Sequence, residues 1–268
     1  MDNIHIRREC ANDYYAVEEL NREAFWSRVW GDRQEICDEH LLVHKLRDVA
    51  SFIPELDLVA EIDGKIVGHI MYSKSKVIDE NGKEHEMLTF GPLAVLPEFQ
   101  GYGIGKKLML HSFEEARRLG FRAIIIFGHP DYYPRVGFRR AEEFGITTSD
   151  GKTFDPFMAL ELYPGALDGV RGKYYIDPVY EHMTQEEALE FDKRFPLKEA
   201  FKPVPIELLL NRLKPEAKEA LESLNIKSLQ AVTTKSERVL RALPGICDEA
   251  IEAIRAVMKD NGWSWGER

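Results

Sequence analysis

The sequence predicts a mixed α/β domain on a mostly antiparallel sheet, followed by a small all-α domain. Three observations carry that prediction. Two turn signals, Asp63-Gly64 and Asn81-Gly82, cut residues 57 to 95 into three strand-like runs in series. A glycine-rich stretch, "EFQGYGIGKKL" at residues 98 to 108, then opens an amphipathic helix that leads to the branched run "RAIIIFG", the pattern of a parallel crossover. From about residue 205 onward only short helical patterns remain.

The elements follow in order. "IHIRREC" alternates as a strand does, and Asp13 is placed to cap a helix carrying Val17, Leu20, Ala24 and Phe25 on one face. A second helical stretch lies near 35 to 49. The three antiparallel strands between 57 and 95 turn at Asp63-Gly64 and Asn81-Gly82, pairs that tolerate positive φ. A helix over 103–119 sets Ile104, Leu108, Met109, Phe113, Ala116 and Leu119 on one half. Arg117 and Arg118 fall in its last turn, and Gly120 can cap it. "RAIIIFG" is too short and too branched for a helix and reads as a buried strand. "FMALELYPGAL" and "KYYIDPVY" extend the first domain over 1–180, and "TQEEALEFDKRFPLKEAFKPVP" reads as a helical linker over 181–204. The helical domain, 205–268, has Pro215 at a first helical position, Ser236 and Asp248 as caps and Asn261-Gly262 as a stop.

Composition narrows the class. With 268 residues, 44% of them hydrophobic, the chain can bury a real core. A net charge of -10 argues against a protein held on nucleic acid by charge alone. Cys10, Cys37 and Cys247 are widely spaced with no CxxC pair, which supports neither a disulfide framework nor a zinc site. The start "MDNIHIRREC" lacks the basic-then-apolar pattern of a leader, and no run of about eighteen apolar residues occurs, so a cytoplasmic protein is expected.

The glycine-rich stretch is tested by spacing. A P-loop would need glycine at Gln100 and a hydroxyl at Lys107. A dinucleotide fingerprint would need glycine at Lys106 or Leu108. Both fail. What remains is Gln100-x-x-Gly103-x-Gly105 between a strand and a helix N-terminus, the composition of an anion nest. Glycines let successive N–H groups converge, and the helix dipole adds partial positive charge, which favours a pyrophosphate.

"LAVLPEFQGYGIGKKLM" resembles the acyl-CoA-binding motif of the GNAT family of N-acetyltransferases, with its Gln/Arg-x-x-Gly-x-Gly/Ala core. "GHPDYYPRVGF" resembles that family's next motif, in which a Tyr precedes Gly-Phe by four residues, here Tyr133 before Gly137 and Phe138. The resemblance covers roughly residues 3 to 163, and "YYPRVGF" is similar to the YhbS-like bacterial branch.

It implies the GNAT fold, in which two neighbouring parallel strands splay apart to take the cofactor arm, and acetyl-CoA as co-substrate with no metal. It also implies that Gln100 and the backbone of Gly101, Tyr102, Gly103, Ile104, Gly105 and Lys106 hold the pyrophosphate. Leu93, Ala94 and Val95 would pair with the pantetheine arm, and an amide near Leu93 would face the thioester oxygen. Pro92 lacks a donor just before it, which suits a bulge. Tyr133 would be the general acid, since a phenol titrating near about 10 is protonated at neutral pH and can donate to a departing thiolate. Tyr132 falls where the family has a packing aromatic.

The activity so implied is transfer of an acetyl group to a primary amine, on a small molecule or on a peptide or protein. The alternative is an acyl-CoA-binding regulatory protein that signals through its C-terminal module. Glu86, His69, His85 and His129 are all possible general bases by position, and the sequence does not choose among them. "WSRVWGDRQEICDEH" mixes aromatic and acidic residues and would suit a cationic acceptor.

The segment "LKPEAKEALESLNIKSLQAVTTKSERVLRALPGICDEAIEAIRAVMKDNGWSWG" resembles the helix–hairpin–helix C-terminal domain of the bacterial RNA polymerase α subunit, a module that meets DNA and transcription factors. Of the contact positions that this resemblance carries over, only Asn211 keeps its residue; the others are Leu208, Cys247, Glu249 and Ala250. Residues 205–268 hold ten Lys plus Arg and ten Asp plus Glu, so no basic field compensates. A protein partner through 205–268 is therefore expected ahead of nucleic acid.

Overall fold

Nine strands among the described residues form one mixed sheet in a computed structural model of the chain, which describes residues 3–26, 36–198, 204–224, 226, 228–233 and 237–261. They are β1 (His5–Arg8), β2 (Leu58–Ile62), β3 (Lys65–Ile78), β4 (Glu84–Val95), β5 (Ala123–Phe127), β6 (Arg139–Arg140), β7 (Ile146–Thr148), β8 (Phe157–Glu161) and β9 (Gly172–Tyr175). The neighbour order is β1-β2-β3-β4-β5-β8-β6, with β9 joined to β3 and β7 to β9. The sheet is mostly antiparallel, with a parallel β4–β5 pair at its centre, the arrangement that the resemblance implies.

The two hairpins differ in how they turn. Asp63 and Gly64 both take positive φ, 50° and 79°, as a two-residue turn requires. At the second hairpin only Gly82 does so. There the Asp79 carboxylate accepts the amides of Asn81 and Lys83, both at 2.9 Å, so an Asx-type loop over 79–83 replaces the expected Asn-Gly turn.

β4 shapes the centre of the sheet. It pairs with β5 at Leu88↔Ile124 and parts from it beyond, while on its other edge β5 pairs with β8 from Ala123↔Glu161 to Phe127↔Phe157. On its other edge β4 follows β3 to Gly68↔Val95, with a register shift between Ile70↔Leu93 and Tyr72↔Phe90 that inserts one extra β4 residue at the cis Gly91–Pro92 step.

Helices cover both faces. Helix α1 (Tyr14–Phe25) and α2 (Glu39–Leu46) bury Val17, Leu42, Val43 and Leu46 against Val59 and Met71. On the opposite face α3 (Ile104–Arg118) packs so closely that a Cβ on Gly68 would lie 2.9 Å from Ile104 and 3.0 Å from Leu108. Each such fully buried side chain stabilises the fold by roughly 1.5–3 kcal/mol. Leu119, expected on the buried half of this helix, is 43% exposed, because the helix ends at Arg118. Gly120, at φ 85°, follows in the left-handed conformation of a C-terminal cap. Asp13 stands at the N-cap of α1 but does not cap it: its carboxylate accepts from Arg7 at 2.6 and 3.0 Å and from the amide of Cys10 at 2.9 Å.

The segment after β9 returns to this body. Helix α4 (Gln185–Asp192), opened by a Thr184–Glu187 capping box, sets Ala188 against Ile36 and Leu41. Its last residue, Asp192, accepts from the buried Arg22 guanidinium at 2.5 and 2.8 Å.

Beyond it come α5 (Glu207–Leu210), α6 (Pro215–Glu222), α7 (Leu229–Thr233), α8 (Glu237–Arg241) and α9 (Asp248–Asp260), which bury Leu209, Leu221, Val232, Leu240, Ile251 and Ile254 in one cluster. Pro215 takes the first helical position, as expected. Asp248 is the first residue of α9 rather than its cap, since Cys247 holds that position in extended backbone. Ser236 and Gly262 lie outside the described residues. No helix among the described residues is long and apolar enough to cross a membrane.

Candidate active site

The centre of the candidate site is the junction of β4 with α3. After β4 a short 3₁₀ turn, Pro97–Phe99, leads through Gln100 into the glycines. Gly101 and Gly103 stand at φ 80° and 77°, and a Cβ on either would meet nothing within 4 Å. Conformation therefore demands glycine here, and crowding does not. Gly103 is the N-cap of α3, and its carbonyl accepts from Lys107 at 3.0 Å in the helix's first turn. The amides of Ile104, Gly105 and Lys106 precede that bond and have no acceptor within the helix. The helix dipole adds to them, so this end attracts an anion.

Side chains around the loop divide the work. Ile104 is 1% exposed and turned to the core, so it offers only its amide. Tyr102 and Lys106 are exposed. Gln100 donates through its amide nitrogen to the Val95 carbonyl at 2.9 Å and ties the loop to the end of β4. A Cβ built on Gly105 would lie 3.7 Å from Val95 Cγ2, 3.9 Å from Leu93 Cδ2 and 3.6 Å from the Tyr132 hydroxyl. Leu93, Val95 and Gly105 thus converge on one spot, while Ala94 alternates into the core. The β4 edge next to them is the one that β5 leaves after Leu88.

Tyr133 reaches this region from the turn after β5. It opens a 3₁₀ turn, Tyr133–Val136, closed by Gly137 at φ 101°. Its ring lies 5.9 Å from Phe90 on β4 and 5.6 Å from Phe138, centroid to centroid. Gly128 makes that position possible, because a Cβ there would fall 2.3 Å from two carbons of the Tyr133 ring. Tyr132 stacks edge-on against Tyr133 at 5.2 Å and turns its hydroxyl toward Gly105. Neither Gly128 nor Tyr132 stands out in sequence as a site residue; a glycine directly after the buried strand is the only signal for the first.

The four possible bases separate clearly. Glu86 pairs with Lys74 at 2.9 Å and His85 with Asp79 at 3.2 Å, both on the stretch of β4 before Leu88. Leu93 is seven residues on from Glu86, roughly 23 Å along a strand. Two surface clefts of about 370 and 320 Å³ also lie toward that end, lined by residues such as Lys76, Glu84 and Lys83. His69 is fully buried, 2.9 Å from Asp57 and 3.0 Å from Asn21; burial pushes its pKa down to about 4, so it is a neutral part of the core. His129 stays beside the site. Its carbonyl accepts from the amides of Tyr132 and Tyr133, and burial lowers its pKa.

Of the aromatic and acidic stretch from 26 to 40, residues 27–35 lie outside the described residues. Trp26 covers the Arg22 guanidinium at 4.5 Å, while Ile36 and Cys37 are buried. In the helical module Leu208, Asn211, Cys247 and Glu249 are exposed, Glu249 is paired with Lys214, and Ala250 is buried. Asn225 and Lys227 lie outside the described residues.

Residues 14–140 match the model of the acetyltransferase (GNAT) family. The chain is 39% identical over 97 residues to the Escherichia coli N-acetyltransferase YjhQ, a match spanning 36% of this chain and 53% of that protein. It thus spans about half the length of that relative. It is 29% identical over 168 residues to Escherichia coli YhbS, covering 62% of this chain and 92% of that one. Among solved structures, YhbS in complex with CoA matches with a TM-score of 0.58 and 25% identity, over 68% of this chain and 93% of that one. A GNAT acetyltransferase from Brucella melitensis in complex with acetyl-CoA matches with a TM-score of 0.53 and 27% identity, over 68% and 100%.

Proposed function

We propose that this protein transfers an acetyl group from acetyl-CoA to a primary amine by direct transfer. One observation carries the reading: the glycine-shaped N-terminus of α3 adjoins the β4 edge that parts from β5, so an anion site and an open strand edge meet. The complexes of its relatives with CoA and acetyl-CoA point the same way.

When bound, acetyl-CoA supplies the activated acetyl group and a thiolate leaving group. The amides of Gly101 to Lys106 hold the pyrophosphate, and the backbone of Leu93, Ala94 and Val95 carries the arm as one more strand would. The amide of Leu93, just past the bulge, polarises the thioester carbonyl. The amine nitrogen bonds to the carbonyl carbon as the carbon–sulfur bond breaks. Tyr133 protonates the departing sulfur and regains its proton from solvent, to which the amine proton is lost. Calorimetric titration of acetyl-CoA tests the donor site: saturable binding, lost in Gly103→Val, is the expected result. Equal binding by both chains would place the acyl donor elsewhere.

A further inference from the structure

We propose that Tyr132 is a binding residue of the acyl-donor groove, its phenol touching the arm close to the pyrophosphate. This rests on the acyl-CoA reading above and divides the paired tyrosines into two roles. The hydroxyl of Tyr132 stands 3.6 Å from the Cβ position of Gly105, at the spot that Val95 Cγ2 and Leu93 Cδ2 approach to 3.7 and 3.9 Å. That spot lies between the strand edge assigned to the arm and the helix end assigned to the phosphates. Anything spanning the two passes this phenol.

The neighbouring ring is placed differently. Tyr133 lies over Gly128 and against Phe90 and Phe138, farther along β4 toward the bulge. Tyr132 is fixed on its turn: its amide donates to the His129 carbonyl at 3.0 Å and its carbonyl accepts from Arg135 at 3.2 Å. Burial raises its pKa, so the phenol stays a neutral donor, suited to an amide carbonyl or a phosphate oxygen. Gly105 belongs to the same arrangement. An alanine there would reach van der Waals distance of the hydroxyl, and a larger side chain would take the place between them.

The test is calorimetric titration of CoA and of acetyl-CoA into the full chain and into Tyr132→Phe and Tyr133→Phe, with steady-state rates on any amine turned over. Loss of one hydrogen bond predicts affinity about 3- to 10-fold weaker in Tyr132→Phe, equally for both ligands, with kcat within about twofold of the parent. Tyr133→Phe is expected to show the reverse split. Phenylalanine keeps the ring, so folding is preserved. Unchanged affinity in Tyr132→Phe, or a loss confined to kcat, overturns the assignment. A parent chain that binds neither ligand overturns instead the acyl-CoA reading on which it rests.

Discussion

At the scale of single residues, two glycines carry different physics. Gly103 sits at φ 77° with open space around its Cβ position, so valine there meets no clash but must adopt a left-handed conformation disfavoured by about 1–2 kcal/mol. The loop turns instead, and its amides lose their aim. Gly103→Val is expected to weaken CoA binding at least about tenfold in calorimetry, with a nearly unchanged melting curve. Gly128 is the converse: its contact with the Tyr133 ring leaves no room for a methyl group. Gly128→Ala therefore displaces Tyr133. Its kcat is expected to fall at least as far as that of Tyr133→Phe, itself at least about tenfold below the parent, with acetyl-CoA affinity roughly kept. Wild-type kcat in both variants would place Tyr133 among the packed aromatics. The roles proposed for Gly103 and Tyr133 follow from motif resemblance, which singles out both residues. That of Gly128 does not, because only a three-dimensional contact shows what its missing side chain admits.

At the scale of elements, the junctions hold the site. Gly68 lets β3 and α3 approach, so Gly68→Val would force Ile104 and Leu108 aside and shift the helix end that carries the amides. Overpacking of this kind costs typically about 1–3 kcal/mol, and a lower melting temperature together with weaker CoA binding is expected. Arg7 and Asp13 join β1 to the start of α1. The guanidinium holds the Asp13 carboxyl down to about 2, below its unfolded value. Its stabilisation is therefore present above about pH 4 and lost as pH falls through about 2. Asp13→Asn is expected to melt lower than the parent at pH 7, and the gap should narrow below about pH 4. Sequence reasoning placed Asp13 at the right boundary with the wrong partner, because an Arg six residues away competes for the carboxylate and wins on charge. The Asn81-Gly82 turn departs for a similar reason: Asp79 supplies acceptors that a local turn signal does not weigh.

At the scale of the whole molecule, the order of β1 to β5 with α1 to α3 was readable from periodicity and turn residues, while β6 to β9 were not read as separate strands, and the parting of β4 from β5 was expected from family resemblance alone. The docking of α4 could not be read that way. It rests on Arg22 meeting Asp192, an ion pair 170 residues apart in sequence. The helical module offers its own check. Its balanced charge and the Glu249–Lys214 pair supply no net attraction for phosphate. The full chain is expected to give no salt-sensitive DNA binding in an anisotropy titration at physiological ionic strength. Sub-micromolar binding that weakens steeply with salt would instead mark that surface as a nucleic-acid interface.

Free-thiol release from acetyl-CoA across a panel of small amines and peptide amines tests the central claim most directly. The account predicts amine-dependent thiol production by the parent chain, at least about tenfold slower with Tyr133→Phe on the same amine. Saturable acetyl-CoA binding without thiol release on any amine would contradict it and leave an acyl-CoA-binding regulator in its place.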